Sequence, residues 1–121
     1  MRRSLRLPLG MAAAAFALAV TASLQAAPAV TTLNGTVGPG FTITLTKGGK
    51  TVTSLKAGKY KLVINDKSTI HDFHLTGPSV NKTTSVAGTG TTTWTLKLKK
   101  GTYTYVCDPH SSMMKGSFKV T

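Results

Sequence analysis

The 121-residue sequence predicts an all-β fold, a Greek-key β-sandwich of about seven to eight strands that forms a single domain after an N-terminal leader. Three observations predict it. Beyond Pro28 the chain is rich in Thr, Val, Lys and Gly, and its apolar residues alternate with polar ones over short runs. Turn signals containing Gly or Pro separate these runs at regular spacing. The same region shows no sustained apolar stripe with a 3.6-residue period, so we do not expect helices there.

Residues 1–26 have the plan of a secretory signal peptide. Three arginines (Arg2, Arg3 and Arg6) precede an apolar run over 9–20, and small residues follow. We expect cleavage after Ala26 or Ala27, which leaves the domain 27–121 in the periplasm or secreted. An uncleaved membrane anchor is the alternative, but the run is shorter than the ~20 residues that a spanning helix needs. No stable membrane insertion is therefore expected after cleavage.

Alternation of apolar and polar residues predicts where the strands lie in the domain after the leader. Residues Tyr60, Leu62 and Ile64 share one face of such a run and are expected in the core. The stretch 79–90 is polar and is expected to form a long connection between sheets, while 52–55 is a candidate short edge strand. The candidate strands are 30–36, 41–47, 58–65, 70–76, 91–98, 102–107 and 116–121.

The charge of the chain is strongly positive. Lys and Arg number 15 against 3 acidic residues, a formal net charge of +12, and removing the three leader arginines leaves 12 − 3 = +9. Such a field favours acidic partners or anionic surfaces. Nucleic acid is not expected as a partner, because the lysines are dispersed and no arginine follows residue 6.

Metal-competent side chains cluster in two segments of the sequence. The first is 70–75, which holds His71 and His74; the second is 105–116, which holds Cys107, His110 and two methionines. Because Cys107 is the only cysteine, no intramolecular disulfide can form. One thiolate, two imidazoles and a weak thioether suit copper in both oxidation states. Zinc held by His71, Cys107 and His110 is the rival, and the thioether argues for copper.

The run Cys107-Asp108-Pro109-His110, followed by Met114-Lys115-Gly116, resembles the C-terminal Cys-x-Pro-His…Met signature of the cupredoxin family, as in plastocyanins and amicyanins. The resemblance covers most of the domain and implies one type 1 copper ion. The ligands that it implies are His71, Cys107, His110 and Met114.

Two assignments within this resemblance need a choice. The family's upstream ligand is the first histidine of the pair, and His71 shares its expected strand face with apolar Phe73 and Leu75. We therefore expect His74 beside the site or at the surface. Met114 directly precedes Lys-Gly as in the family, whereas Met113 gives the shorter spacing found in amicyanins, so both stay candidates for the axial thioether.

Asp72 and Asp108 depart from the family pattern. Asp72 stands where the family usually has Asn, and Asp108 adjoins the cysteine. We expect these two carboxylates to lower the reduction potential by favouring Cu(II) electrostatically.

The expected function is one-electron transfer rather than catalysis. Copper enzymes with this domain need further histidines for additional copper centres, and the chain has three histidines in all. Redox partner proteins, including acidic ones, are expected to dock on a monomer near His110, on an apolar patch with Pro109 and Met113. Copper storage or delivery without redox cycling, and a basic β-sandwich module that binds without metal, are the alternatives.

Overall fold

A computed structural model describes residues 10–25 and 29–121. The arginines of the leader and the expected cleavage site after Ala26 or Ala27 lie outside the described residues. Residues 10–25 form neither helix nor strand. Among the described residues, no helix has the length and apolar character to cross a bilayer.

In residues 29–121, ten strands form two five-stranded sheets, which together make one sandwich. Only one 3₁₀ turn, Asp108–His110, accompanies them in the described part of the chain. The strands are β1 (Thr31–Val37), β2 (Ile43–Lys47), β3 (Lys50–Thr51), β4 (Ser54–Leu55), β5 (Gly58–Asp66), β6 (His74–Gly77), β7 (Val80–Thr83), β8 (Gly90–Leu98), β9 (Gly101–Val106) and β10 (Lys115–Val120).

Both sheets mix parallel and antiparallel pairing. The first sheet has the order β3-β2-β1-β5-β8, in which β1 and β5 are parallel and the other pairs are antiparallel. The second has the order β4-β10-β9-β6-β7, in which only β4 and β10 are parallel. Strands adjacent in space are often distant in sequence, so the chain crosses repeatedly between the sheets. The prediction of an all-β, single-domain sandwich is confirmed.

The core lies between the inner faces of the two sheets. Leu33, Leu45, Leu62 and Ile64 of the first sheet are fully buried, as alternation predicted for the last two. Aromatic side chains fill the second sheet's face, where Phe73 stacks on Tyr105 and Tyr103 stacks on Phe118. Burial of these large side chains is the main favourable contribution to folding.

Two predicted segments differ in the structure. The candidate strand 70–76 begins only at His74, because residues 67–73 bend over the end of the sandwich and use their backbone to bond the segment that follows β9. Conversely, β7 forms inside the predicted connection 79–90. Its sequence contains a single apolar residue, Val80, so alternation of apolar and polar residues could not reveal the strand.

The structure has more strands than the seven to eight predicted. The additional ones are β7 and the two-residue strands β3 and β4.

The strand register defines two poles of the sandwich. Strands β1, β5 and β9 run towards one end, and β2, β8 and β10 run towards the other. We call the first end the loop pole and the second the far pole. The loop pole carries the connections 38–42, 67–73 and 107–114, and the far pole carries 48–49, 56–57 and 99–100.

Close packing at Gly77 gives a test of the core. A Cβ atom at Gly77 would overlap the ring of Tyr103, whereas one at Gly40 would meet nothing within 4 Å. Because a buried aromatic ring cannot retreat easily, we expect Gly77→Ala to destabilise the fold by about 1–3 kcal/mol. Urea unfolding measures this, with Gly40→Ala as the matched control. Equal midpoints for the two variants would contradict the packing described here.

Candidate metal centre

Cys107 follows β9 at the loop pole and is completely buried. Burial raises the pKa of its thiol, while the backbone N–H groups of Asp72 and His110 act in the opposite direction. The N–H of Asp72 donates to Cys107 Sγ at 3.4 Å. Burial is the larger effect, so the protein alone favours the thiol, and the backbone donors offset part of the cost of forming the thiolate that a metal ion requires.

The segment 107–114 is closed by its own backbone hydrogen bonds. The N–H of His110 donates to the carbonyl of Cys107 at 3.0 Å, and the N–H of Met114 donates to the carbonyl of His110 at 2.9 Å. The N–H of Cys107 donates in turn to the carbonyl of Met114 at 2.9 Å. Pro109 lies in the first turn of the 3₁₀ segment, where its fixed φ and missing N–H are tolerated. This closure brings His110 back over the cysteine.

His71 reaches the same place from the connection 67–73. Its ring is completely buried, and Nδ1 lies 3.1 Å from Nδ1 of His110 and 3.6 Å from Cys107 Sγ. Nδ1 of His110 also lies 3.6 Å from the sulfur. Two imidazole nitrogens and one sulfur thus face one another, all within 4.8 Å. In the described part of the chain, this is the one group of at least three histidine, cysteine or acidic side chains whose ligand atoms lie close enough together to hold a metal ion.

The separations of these three atoms fit a single metal ion. Bonds of roughly 2.0–2.1 Å to nitrogen and 2.3 Å to sulfur place neighbouring ligand atoms about 3.3–3.7 Å apart. The two separations between nitrogen and sulfur, 3.6 Å each, fall in this range, and the separation between the two nitrogens, 3.1 Å, lies just below it. Spacing alone does not separate zinc from copper. One thiolate with two imidazoles is, however, the ligand set of trigonal copper sites.

The two candidate methionines and the second histidine lie in different environments. Met114 is 1% exposed, whereas Met113 is 65% exposed at the surface of the loop pole. His74 is half-buried at the start of β6 and does not belong to the His71, Cys107 and His110 group. Met114 is thus the buried and Met113 the exposed candidate for the axial thioether, and the assignments of the thioether and of His74 stay predictions.

A polar network surrounds the cysteine on the side of the second sheet. The N–H of Asp108 donates to Asp72 Oδ1 at 2.6 Å, and the Thr83 hydroxyl donates to Asp72 Oδ2 at 3.3 Å. His74 Nδ1 lies 3.0 Å from both carboxylate oxygens of Asp108, and its Nε2 lies 2.6 Å from Asn81 Oδ1. The network joins both metal-competent segments to β7.

Each ionisable group of this network has a shifted pKa. Burial raises the pKa of Asp72, and the side chain of Asp108 raises it further, while the backbone N–H of Asp108 that donates to Asp72 acts in the opposite direction. Hydrogen bonds from Asp72 and His74 lower the pKa of Asp108, and the bond to Asp108 raises that of His74. Asp108 is therefore the more acidic of the two carboxyl groups beside the cysteine, and it is hydrogen-bonded to His74. The expectation that the two carboxylates lower the reduction potential stays a prediction.

Sequence reasoning missed several residues that shape this site. The ring of Phe41 lies edge-on to both imidazoles, with centroids 5.4 Å from that of His71 and 5.0 Å from that of His110. The hydroxyl of Thr84 accepts the N–H of Phe73 at 2.9 Å, which fixes the end of the connection 67–73. No local signal marks either residue, because both contacts depend on how the two sheets are brought together.

Comparisons with known proteins agree with this donor set. A family model described as copper binding proteins of the plastocyanin/azurin family matches residues 21–121. No curated protein matches the chain.

Solved structures of rusticyanin are similar in fold. A structure of the copper protein rusticyanin has 19% sequence identity to this chain and a TM-score of 0.58. The match covers 74% of this chain and 76% of the rusticyanin chain. Reduced rusticyanin is 20% identical, with a TM-score of 0.57, and the match covers 74% of this chain and 78% of the rusticyanin chain. Rusticyanin from Thiobacillus ferrooxidans is 21% identical over 74% and 76%, with a TM-score of 0.52. At this identity the likeness shows the fold of the chain.

Proposed function

The chain belongs to the plastocyanin/azurin family of copper binding proteins, and on this premise we propose that it is a mononuclear type 1 copper protein that carries single electrons between partner proteins. The observation that carries the proposal is the convergence of His71 Nδ1, His110 Nδ1 and Cys107 Sγ at the loop pole. A bound copper ion would supply the Cu(I)/Cu(II) couple. The protein would supply the donors and hold them in place.

In this proposal the ligands are His71, Cys107, His110 and Met114. The first three already lie within ligand-to-ligand distance of one another. Met114 is assigned as the weak axial donor because it is buried and its carbonyl is bonded to Cys107. Such a donor tunes the reduction potential without governing the affinity.

The surrounding residues would keep this geometry unchanged between oxidation states. The N–H of Asp72 holds the sulfur, and the packed rings of Phe41, His71 and His110 restrict both imidazoles. A packed β-sandwich resists the movement of groups anchored at its end. Little reorganisation would then accompany each electron, which favours transfer rather than a copper store that must release its ion.

Electrons would enter and leave through an apolar patch around His110. The half-buried ring of His110 contacts Phe41, which is 53% exposed, and the apolar side chains of Ile70 and Met113, in the adjoining connections of the same pole, are 51% and 65% exposed. Pro109 is exposed beside them. An apolar surface of this kind, next to a ligand ring that leads to the metal, fits brief contact between a monomer and its redox partner.

Export completes the proposal. The signal-peptide plan of residues 1–26 supports a periplasmic or secreted protein. Three histidines in the whole chain, all at the loop pole, leave no ligands for a second copper centre, which supports a carrier rather than an enzyme.

Replacing the cysteine tests the central claim. With one equivalent of Cu(II), the native protein should show an intense thiolate charge-transfer absorption in the visible range and a type 1 electron paramagnetic resonance spectrum. Cys107→Ser should lose both, because a hydroxyl cannot supply the thiolate. His74→Gln, which removes a neighbouring histidine outside the ligand group, should keep them. A spectrum indifferent to Cys107, or a protein that holds Cu(I) but forms no coloured Cu(II) state, would favour binding or storage instead.

Paired methionine variants test the axial assignment. Met114→Leu keeps the buried volume but removes the thioether, so we expect the reduction potential to rise by at least about 59 mV, a tenfold change in the one-electron equilibrium. Met113→Leu should leave the potential unchanged, since that side chain is exposed. Protein-film voltammetry measures both. The opposite pattern would assign Met113.

The docking patch can be tested without knowing the partner. Electron self-exchange between oxidised and reduced copies, measured by NMR line broadening, requires two patches to meet. The double variant Ile70→Ser/Met113→Ser should slow it roughly tenfold, equivalent to about 1.4 kcal/mol of encounter stability, while the visible spectrum stays native. Val30→Ser, an exposed apolar residue at the far pole, is the control. Equal rates in all three proteins would remove the patch from the proposal.

A further inference from the structure

The charged side chains are sorted between the two poles. Asp66, Asp72 and Asp108 are the only acidic residues of the sequence, and all three lie at the loop pole. Three lysines lie at or near the loop pole, and these are Lys67, Lys82 and Lys115. Lys61 lies within β5, between the two poles. The remaining eight of the twelve lysines lie at the far pole. The molecule is therefore electrically polar along its strands.

Four of the far-pole lysines belong to the first sheet and form two cross-strand pairs. Lys47 of β2 is opposite Lys50 of β3, and Lys59 of β5 is opposite Lys97 of β8. All four are exposed. Like charges directly opposite each other on neighbouring strands oppose folding. No carboxylate side chain lies at this pole to offset them, so the fold keeps two repulsive pairs that an anionic partner would relieve.

The other four belong to the second sheet and its turns. Lys56 precedes β5, Lys99 and Lys100 form the turn between β8 and β9, and Lys119 lies near the end of β10. All are exposed. The hydroxyl of Tyr60 donates to the Lys56 carbonyl at 2.6 Å, which holds the backbone of that lysine in place. The lysines therefore border the pole from both sheets rather than forming a stripe on one.

An open cavity of about 580 Å³ lies at this pole between the two sheets. Lys47 and Lys56 line it together with Leu55 and the hydroxyl-bearing residues Thr31, Ser54, Tyr60 and Thr121. Ammonium and hydroxyl groups are the donors that bind phosphate oxygens. The cavity could therefore take one phosphate-bearing headgroup, while the surrounding lysines would act on a broader anionic surface.

We propose that the far pole is a docking surface for an anionic phospholipid bilayer. Charge complementarity supports it, because lysines near such a surface contribute additively to attachment. The course of the chain supports it also. Strand β1 begins at this pole with Thr31, so the apolar run 9–20 is separated from it by residues 21–30, which span at most roughly 35 Å. A leader held at a bilayer would therefore keep the far pole within roughly 35 Å of the leader's apolar run.

A redox partner fits the far pole less well. The seven residues of β1 separate the far pole from the donors of the loop pole by about 20 Å. An acidic partner attracted to the lysines would therefore be held at the wrong end for electron transfer. A bilayer bound at the far pole instead leaves His110 and its apolar patch facing away from the membrane and open to other proteins.

Vesicle binding of the full-length protein tests the proposal. One variant changes four far-pole lysines to glutamine, and its control changes the four other lysines, so both lose the same charge and both keep the leader. The far-pole set is Lys47, Lys56, Lys99 and Lys100, and the control set is Lys61, Lys67, Lys82 and Lys115. Co-sedimentation is measured with phosphatidylcholine vesicles, with and without phosphatidylglycerol.

We expect phosphatidylglycerol to strengthen binding of the native protein and of the control. The far-pole variant should lose on the order of 600-fold in the phosphatidylglycerol-dependent partition coefficient, since each of its four lysines contributes about fivefold. Salt should reduce the difference. Equal losses in both variants would show that only net charge matters and would overturn the proposal, as would stronger competition by RNA than by anionic vesicles. The copper spectra of these variants are measured separately, so a failure of the membrane-docking proposal would not count against the proposed metal site.

Discussion

Two hydrogen bonds between distant segments hold the candidate metal centre together. The N–H of Asp72 donates to Cys107 Sγ, and the N–H of Asp108 donates to the Asp72 carboxylate. These bonds join the connection 67–73, which carries His71, to the segment 107–114, which carries the other donors. Without them each segment would contribute its ligands to an independent loop. The buried aspartate is therefore both a departure from the family pattern and a structural crosslink.

The sandwich beneath this crosslink makes it rigid. Phe73 follows His71 and Asp72 and stacks on Tyr105 at 5.5 Å, and Tyr105 contacts Phe118, which stacks on Tyr103. The aromatic series thus runs from the metal-competent loops into the core of the second sheet. Because packed rings resist small displacements, the positions of the donors are set by the core. A carrier of single electrons benefits from this, since its ligands should not move when the charge changes.

The loop pole and the far pole differ in charge, so the two ends of the molecule have chemically different surfaces. The three aspartate side chains lie at the end of the strands that carries the donors, and most lysines lie at the opposite end. The exposed apolar residues Phe41, Ile70 and Met113 occupy the loop pole. The two ends therefore present different chemistry, an apolar contact surface near the metal donors and a cationic surface remote from them. The strong positive charge of the chain does not surround the exposed apolar residues of the loop pole uniformly.

The sequence by itself determined the fold class and the donor types, because both are written in local patterns. Alternation and turn residues indicate strands, and Cys107, His110 and the methionines lie within one short segment whose spacing is visible in the chain. Tertiary structure decided what depends on contacts between distant segments. It brought His71 rather than His74 to the sulfur, buried Met114 and exposed Met113, set Phe41 against both imidazoles and gathered eight lysines at one pole. Strand register and the crossing of the sheets control these outcomes, and neither can be deduced from residue spacing alone.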